Sequence, residues 1–208
     1  MNYIQLRKYL ADFTVFSIND IQRIDPKFHR RRLNEWQDKG YIKKIIKGFY
    51  IFSDLELNEN ILFEIANRIY KPSYISLEGA LAYYKLIPES TYGITSASTR
   101  RTYKFKTSIA EFSYRTIKSS LFFGYILNRY NGKCFKIASP EKAILDYFYL
   151  NPHINKESDF ASLRINPEVF FNKVKTGKLK KYLKRFSQNT LSTKIDKFLN
   201  FMKAQKLW

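Results

Sequence analysis

Cysteine and histidine are scarce in this sequence. It has one cysteine, Cys134, and two histidines, His29 and His153. A single thiol cannot form an internal disulfide, and neither histidine has a partner at the spacing of a zinc site. The glycines are scattered rather than gathered into a phosphate-binding loop. We therefore expect no metal, no cofactor and no catalytic residues, and we do not expect an enzyme.

Long apolar runs are also missing. No stretch reaches the ~18 residues that a membrane-spanning helix needs, and the first residues do not form a charged-then-apolar leader. We expect a cytoplasmic protein with no membrane partner.

Acidic residues are few: 18 Asp and Glu stand against 37 Lys and Arg, which gives a formal net charge of +19. This excess favours a polyanionic partner such as DNA or RNA, although a need for solubility alone would also explain it. The basic residues are concentrated at the two ends of the chain. The first fifty residues hold eleven of them with five acids, and the chain from Lys173 onward holds eleven with one acid, Asp196.

The N-terminal segment has the signals of three helices. Apolar spacing predicts a first helix over residues 3–13. Ser17 followed by Asp20 has the pattern of a capping box and predicts a short second helix. A third helix is expected over 26–39, with the Asp-Pro pair at its start and Gly40 as its left-handed C-cap.

Two short β-prone runs, YIKKII and GFYIF, follow the third helix and predict a hairpin that turns at Lys47-Gly48. Three helices followed by a hairpin is the layout of a winged helix-turn-helix, which we expect over residues 1–53.

The predicted third helix carries a run of three arginines. Leu33 and Trp36 must face the core, which puts His29 and Arg32 on or beside the inner side. The outward residues near the start of this helix are the first candidates for DNA contacts in the major groove. These outward residues are Lys27, Arg30, Arg31 and Asn34. A solvated helix face and a protein-binding surface are the alternatives.

The hairpin and the start of the second helix supply further candidates, which suit contacts with DNA phosphates. These candidates are Ser17, Tyr41, Lys43, Lys44 and Lys47.

Residues 54–208 are predicted to form an α+β domain. The predicted helices of its first part cover residues 58–70, 77–87 and 141–150. A short strand over 73–76 and five alternating runs between 92 and 138 predict a mainly antiparallel sheet. After a polar connection over 153–165, basic C-terminal helices are expected from about residue 166.

The segment KLKKYLKRF in the tail combines an apolar stripe with dense positive charge. The stripe consists of Leu179, Tyr182, Leu183 and Phe186. The basic residues around it are Lys178, Lys180, Lys181, Lys184 and Arg185. Three interpretations stay open: a helix docked on the body with a solvated basic face, a second nucleic-acid surface, and a helix on a membrane surface.

A nucleic-acid-processing enzyme would depend on Glu141, Lys142 and Asp146. However, Glu141 and Lys142 are adjacent, whereas residues that share one strand face alternate. We interpret Glu141 as a carboxylate in the first turn of a helix and Asp146 as the i, i+4 partner of Lys142. Cys134 is expected to be a small buried residue.

Four segments in order give the chain a family resemblance. They are FHRRRLNEWQDKGYIKKIIKGFYIF, KPSYISLEGALAYYKLIPE, YGITSASTRR and SPEKAILDYFYL. Together they resemble the AbiEi family of antitoxins, the partners of nucleotidyltransferase toxins in type IV toxin–antitoxin systems for phage defence.

The resemblance implies an N-terminal winged helix-turn-helix that represses its own operon at repeated operator sites. It also implies a second domain that counteracts the toxin without a stable direct complex. By position, Lys27, Arg30, Arg31, Asn34 and the hairpin lysines would contact the operator, and residues 76–81 and 140–143 would mark the antitoxin domain. A plain transcriptional regulator is the alternative to an antitoxin.

Overall fold

The structure is a computed structural model that describes residues 1–88 and 93–206. The fold is mixed α+β and contains a three-stranded and a six-stranded sheet.

The first 53 residues contain three helices and the smaller sheet. The helices are α1 (Tyr3–Tyr9), α2 (Ile18–Ile24) and α3 (Arg31–Asp38). The strands are β1 (Phe16–Ser17), β2 (Ile42–Ile46) and β3 (Phe49–Phe52), and they pair antiparallel in the order β1-β3-β2. The predicted hairpin at Lys47-Gly48 is confirmed, and Gly48 takes the left-handed φ of 88° that the turn requires.

The remaining described residues contain the larger sheet, seven α-helices and a short 3-10 helix over Ser119–Leu121. The strands are β4 (Ser73–Ile75), β5 (Gly93–Ser98), β6 (Tyr103–Lys106), β7 (Glu111–Thr116), β8 (Tyr125–Tyr130) and β9 (Lys133–Ala138). The helices are α4 (Glu59–Ile69), α5 (Leu77–Tyr83), α6 (Pro140–Leu150), α7 (Glu157–Ser162), α8 (Pro167–Lys173), α9 (Thr176–Phe186) and α10 (Asn189–Lys206).

Several element boundaries differ from the prediction. The first helix ends at Tyr9, and both Ile4 and Tyr9 are exposed rather than turned to the core. Helix α5 ends at Tyr83, and α7 lies inside the segment that was predicted to be a polar connection. The predicted start of β5 at Tyr92 lies outside the described residues.

The larger sheet is mixed, and the prediction of a mainly antiparallel sheet is therefore only partly right. Its order is β6-β7-β5-β4-β9-β8. On one side of the sheet β6 is the edge strand. The next strand, β7, lies between β6 and β5 and pairs antiparallel with β6 and parallel with β5. At the other side β8 forms the edge, and β9 inserts beside β4 in the same way. The alternation of apolar and polar residues along each strand does not specify the order in which the strands pair.

Helices cover both faces of the larger sheet. Helix α4 lies on one face, where the hydroxyl of Tyr114 donates to the carbonyl of Ala66. Helices α5 and α6 lie on the other face, where Tyr74 bonds to Asp146. Helices α9 and α10 pack on α6, and α7 and α8 pack against α10. The second module is thus three layers deep, with the tail helices outside α6.

The buried residues form two clusters. One lies entirely within the first 52 residues, around Phe16, Leu33 and Trp36. The other fills the rest of the protein and also takes in Ile45 and Ile51 from the smaller sheet and Val15, which directly precedes β1. The smaller sheet is therefore covered on both faces, which is why GFYIF is apolar at consecutive positions. The domain boundary after residue 53 stays a prediction.

Candidate nucleic-acid interface

Helix α2 begins at the capping box that the sequence predicts. The Ser17 hydroxyl accepts a 3.3 Å hydrogen bond from the N–H of Asp20. The Asp20 carboxylate in turn accepts 2.7 Å bonds from the N–H and the hydroxyl of Ser17. Burial would raise the pKa of Asp20, but the hydrogen bonds from Ser17 and the nearby Arg68 outweigh it and lower the pKa. The Ser17 hydroxyl thus holds the helix start, and its contact with DNA stays a prediction.

Helix α3 begins at Arg31, not at Pro26 as the Asp-Pro pair predicts. Asp25 instead ends α2, and its carboxylate lies 3.0 Å from the N-terminal amine. The turn that follows directs Phe28 into the core, where its ring centroid lies 5.5 Å from that of Trp36. Burial of this aromatic ring explains why the chain turns here instead of starting a helix.

The four residues predicted to face outward near the start of α3 are all exposed. These residues are Lys27, Arg30, Arg31 and Asn34. Lys27 and Arg30 lie in the turn before α3, with Arg30 at the N-cap position. The Arg31 side chain is 89% exposed, and its nearest carboxylate, Glu35, is 3.9 Å away. An exposed ion pair of this kind contributes little to the stability of the fold, so the Arg31 guanidinium is available for an external partner.

His29 and Arg32 do not flank the packed side of α3, contrary to the prediction. Both are exposed, and Arg32 donates a hydrogen bond to the backbone carbonyl of Met1. Phe28 takes the inner position that was given to His29. His29 precedes the helix and so does not share its periodicity, whereas Arg32 lies within α3 and is directed to the carbonyl of Met1.

The hairpin carries its three lysines, Lys43, Lys44 and Lys47, on the exposed surface. The β2–β3 register shifts between Lys44 and Ile46, and the intervening Ile45 is buried in the larger core. This bulge anchors the strand while the lysines stay in solvent. Tyr41 is 41% exposed, and its ring stacks on that of Tyr3 with centroids 4.4 Å apart.

Helix α4 fixes the N-terminal helices to the rest of the protein. Glu64 accepts a hydrogen bond from the Thr14 hydroxyl. Arg68 lies 3.5 Å from the Asp20 carboxylate and 4.7 Å from the centroid of the Phe13 ring. These contacts hold α2 and the smaller sheet in place behind the exposed basic residues.

The five basic residues predicted around the stripe of α9 divide into two groups. Lys180, Lys181 and Lys184 are exposed. Lys178 instead bonds to Glu141 at 2.9 Å, and the Arg185 guanidinium lies 3.6 Å over the ring of Phe123. Arg185 stays exposed despite this contact, so four of the five residues lie on the solvated surface, while Lys178 and Arg185 also contact the protein body.

Glu141, Lys142 and Asp146 do not converge on an open site. Glu141 is buried and accepts bonds from the Ser139 hydroxyl at 2.8 Å and from Lys178. Burial would raise the pKa of Glu141, but the bonds from Lys178 and Ser139 outweigh it and lower the pKa. Glu141 lies in the first turn of α6, as predicted.

The predicted i, i+4 pair of Lys142 and Asp146 is confirmed, and both side chains are fully buried. Asp146 also accepts 2.8 Å bonds from the hydroxyls of Tyr74 and Ser76, and the Lys142 ammonium donates to Tyr74 at 2.8 Å. Burial lowers the pKa of Lys142 and raises the pKa of Asp146. The set is a closed polar network within the core.

Sequence reasoning missed Tyr74 and Ser76 as partners of this network. Tyr74 lies on β4, and Ser76 is the N-cap residue of α5 directly after it. Their spacing of two residues within the predicted strand over 73–76 puts them on one face, which was the available signal. The network joins two of the segments that carry the family resemblance, 71–89 and 139–150. Cys134 was predicted to be buried but is exposed, because it lies one pair from the end of the β8–β9 hairpin.

Within residues 1–88 and 93–206, no group of three or more His, Cys, Asp or Glu side chains could hold a metal ion. In the same part of the chain, no helix combines the length and apolarity needed to cross a membrane.

Comparison with models of known protein families gives no match for this chain. A search of curated proteins likewise gives no significant relative.

Proposed function

We propose that this chain is an AbiEi-type antitoxin that binds operator DNA through a winged helix-turn-helix formed by residues 1–53. The observation that carries the DNA-binding proposal is the exposure of basic side chains on both sides of the Gly40 turn, which joins α3 to β2. These side chains are Arg30, Arg31, Lys43, Lys44 and Lys47. Trp36 and Ile42 are buried at the same place, so the charged surface has a packed support.

The start of α3 suits a role in reading base edges. Arg31 and Asn34 are three residues apart on the helix and both are exposed. Arg bonds well to guanine and Asn to adenine in the major groove. Arg30 adds a second guanidinium just before the helix, and the hairpin lysines suit the phosphates on either side.

The antitoxin part of the proposal is supported by the family resemblance. In this proposal the second module counteracts a nucleotidyltransferase toxin without a stable direct complex, and the protein acts in the cytoplasm. The exposed lysines of α9 offer a further contact for DNA or RNA, and RNA is the second nucleic-acid partner in this proposal.

The DNA-binding proposal is tested with the purified full-length protein and the DNA upstream of its own gene. A gel-shift titration against unrelated DNA should show preferential binding. Arg30→Ala and Arg31→Ala should each weaken that binding by about 1–3 kcal/mol if the side chains reach bases. Lys106→Ala, an exposed lysine on β6, is the matched control. Unchanged binding of both arginine variants would refute the assignment.

The antitoxin proposal is tested by co-expression with a nucleotidyltransferase encoded next to this gene. Growth should be rescued by the wild-type chain and also by the Arg30→Ala/Arg31→Ala variant, because DNA reading and neutralisation are assigned to different modules. Operator binding without rescue would identify a plain transcriptional regulator instead.

A further inference from the structure

The larger sheet contains an incomplete seam between β4 and β9. Within the described residues, a single register pair, Ile75 with Ile137, joins these parallel strands. Nearer the start of β9, the N–H of Lys136 donates to the side-chain oxygen of Asn67 on α4, at 2.5 Å, rather than to β4. A side chain thus replaces part of the strand pairing.

A cavity of about 360 Å³ opens at this seam. Its walls come from the second half of α4, the start of β4 and the β8–β9 hairpin. Its volume falls in the range of pockets that hold small molecules.

Two buried polar atoms at this cavity have no hydrogen-bond partner in the described chain. They are the hydroxyl oxygen of Ser73 and the amide nitrogen of Asn67. Ser73 is only 3% exposed, and both residues line the cavity. The Asn67 amide cannot simply be turned over, because its oxygen must face the N–H of Lys136. Buried polar groups are normally satisfied, so both donors are free to bond to an acceptor on a ligand.

The charges around the cavity favour an anion. Arg68, Lys71 and Lys136 line it against a single carboxylate, Glu64. That carboxylate already accepts a hydrogen bond from Thr14. The Lys136 ammonium lies 5.2 Å from the Tyr125 ring centroid, and Arg68 lies 3.5 Å from the Asp20 carboxylate, so the free positive charge comes mainly from Lys71.

The other walls are apolar and are formed by Pro72, Leu127 and Phe135. A ligand that satisfies the whole site therefore needs acceptor oxygens with negative charge at one end and a flat apolar ring at the other.

We propose that the cavity between α4 and the β4–β9 seam binds a small organic phosphate with an aromatic ring, of the size of a nucleoside monophosphate. The phosphate lies at the exposed Lys71, and rotation of the Ser73 and Asn67 side chains brings their buried donors to its oxygens. The ring packs on the exposed Leu127, beside Phe135. The site adjoins Glu64 and Arg68, the α4 residues that hold Thr14 and Asp20 of the N-terminal module.

The single cysteine gives a direct assay, because Cys134 is exposed and lines the cavity. The rate of maleimide modification of the full-length protein is measured with the adenine, guanine, cytosine and uracil ribonucleoside 5′-monophosphates. At least one should slow modification about tenfold at ten times its dissociation constant, because only unoccupied protein reacts. The matching nucleoside and inorganic phosphate should each protect less. No protection by any of the nucleotides would overturn the proposal.

Two variants then assign the binding to the cavity, with affinity measured by calorimetry. Ser73→Ala removes the unpartnered hydroxyl. Asn67→Asp keeps the acceptor for Lys136 but replaces the amide donor with negative charge. Each should weaken nucleotide binding about tenfold or more. Ser96→Ala is the matched control, since Ser96 is equally buried and unpartnered but does not line the cavity. Equal affinity of Ser73→Ala, Asn67→Asp and Ser96→Ala would refute the site.

Discussion

Lys142 donates a hydrogen bond to the carboxylate of Asp146 one turn further along α6, and neither side chain is exposed to solvent. Hydroxyls from Tyr74 and Ser76 complete the network across the face of β4. Burying an ion pair costs desolvation free energy, which the attraction between the two charges roughly offsets. Replacing both residues therefore changes the stability less than replacing one of them, which leaves the other charge buried alone.

The first prediction concerns this pair. Lys142→Met should lower the free energy of unfolding by about 3–5 kcal/mol, because it leaves the Asp146 carboxylate buried without its cation. The double variant Lys142→Met/Asp146→Leu should lose less than the single variant. Guanidinium denaturation followed by circular dichroism measures both. A double variant that loses as much as the sum of its single variants would contradict the coupling.

The second prediction concerns Gly124, which has φ 73° in the connection before β8. A Cβ there would lie 2.9 Å from the Tyr182 ring and 3.2 Å from Cγ of Lys142. Gly124→Ala should therefore lower the free energy of unfolding through both backbone strain and a clash with α9. The clash should account for about 1–3 kcal/mol beyond the strain alone. Gly132→Ala isolates the strain, because Gly132 has φ 76° and no neighbour within 4 Å of the added Cβ. Equal losses for the two variants would rule out the clash.

The third prediction concerns acid sensitivity. The folded-state pKa of Glu141 is lowered, so its contribution to stability is fully present above the ordinary glutamate value of about 4.3. That contribution is lost as the pH falls through the lowered folded-state pKa. Glu141→Gln should therefore show a shallower loss of stability than the wild type below about pH 4. Urea denaturation at a series of pH values measures this, and parallel curves would contradict it.

The fourth prediction concerns the hairpin. Lys43→Ala and Lys44→Ala should weaken binding to operator and unrelated DNA alike, because lysines at phosphates carry no sequence information. Each should also reduce the slope of log affinity against log salt by about 1. Binding titrations over a range of salt concentrations measure the slope, with Lys106→Ala as the control. A selective loss for the operator would instead place these lysines at bases.

Local signals in the sequence predicted much of the secondary structure. The capping box at Ser17, the Gly40 stop and the Lys47-Gly48 turn are all found where they were expected. The Asp-Pro signal failed, because burying Phe28 outweighs the local preference of that pair for a helix start. Local patterns report such preferences, but they do not report which apolar side chain the core will take.

The interface was predictable to the extent that exposure follows from helical and strand periodicity. Arg31, Asn34 and the hairpin lysines are exposed as expected. The basic tail was less predictable, since Lys178 bonds to Glu141 and Arg185 covers Phe123. A long cationic side chain can lie along the protein or extend into solvent, and charge alone does not distinguish these cases.

The sequence by itself determined the order of most elements, though not α7 or β1, together with the basic ends and the i, i+4 spacing of Lys142 and Asp146, because these depend on neighbours along the chain. Only the tertiary structure decided the strand order of the larger sheet, the burial of that pair against β4 and the cavity beside Asn67. Those features depend on contacts between residues far apart in the chain, which periodicity does not encode.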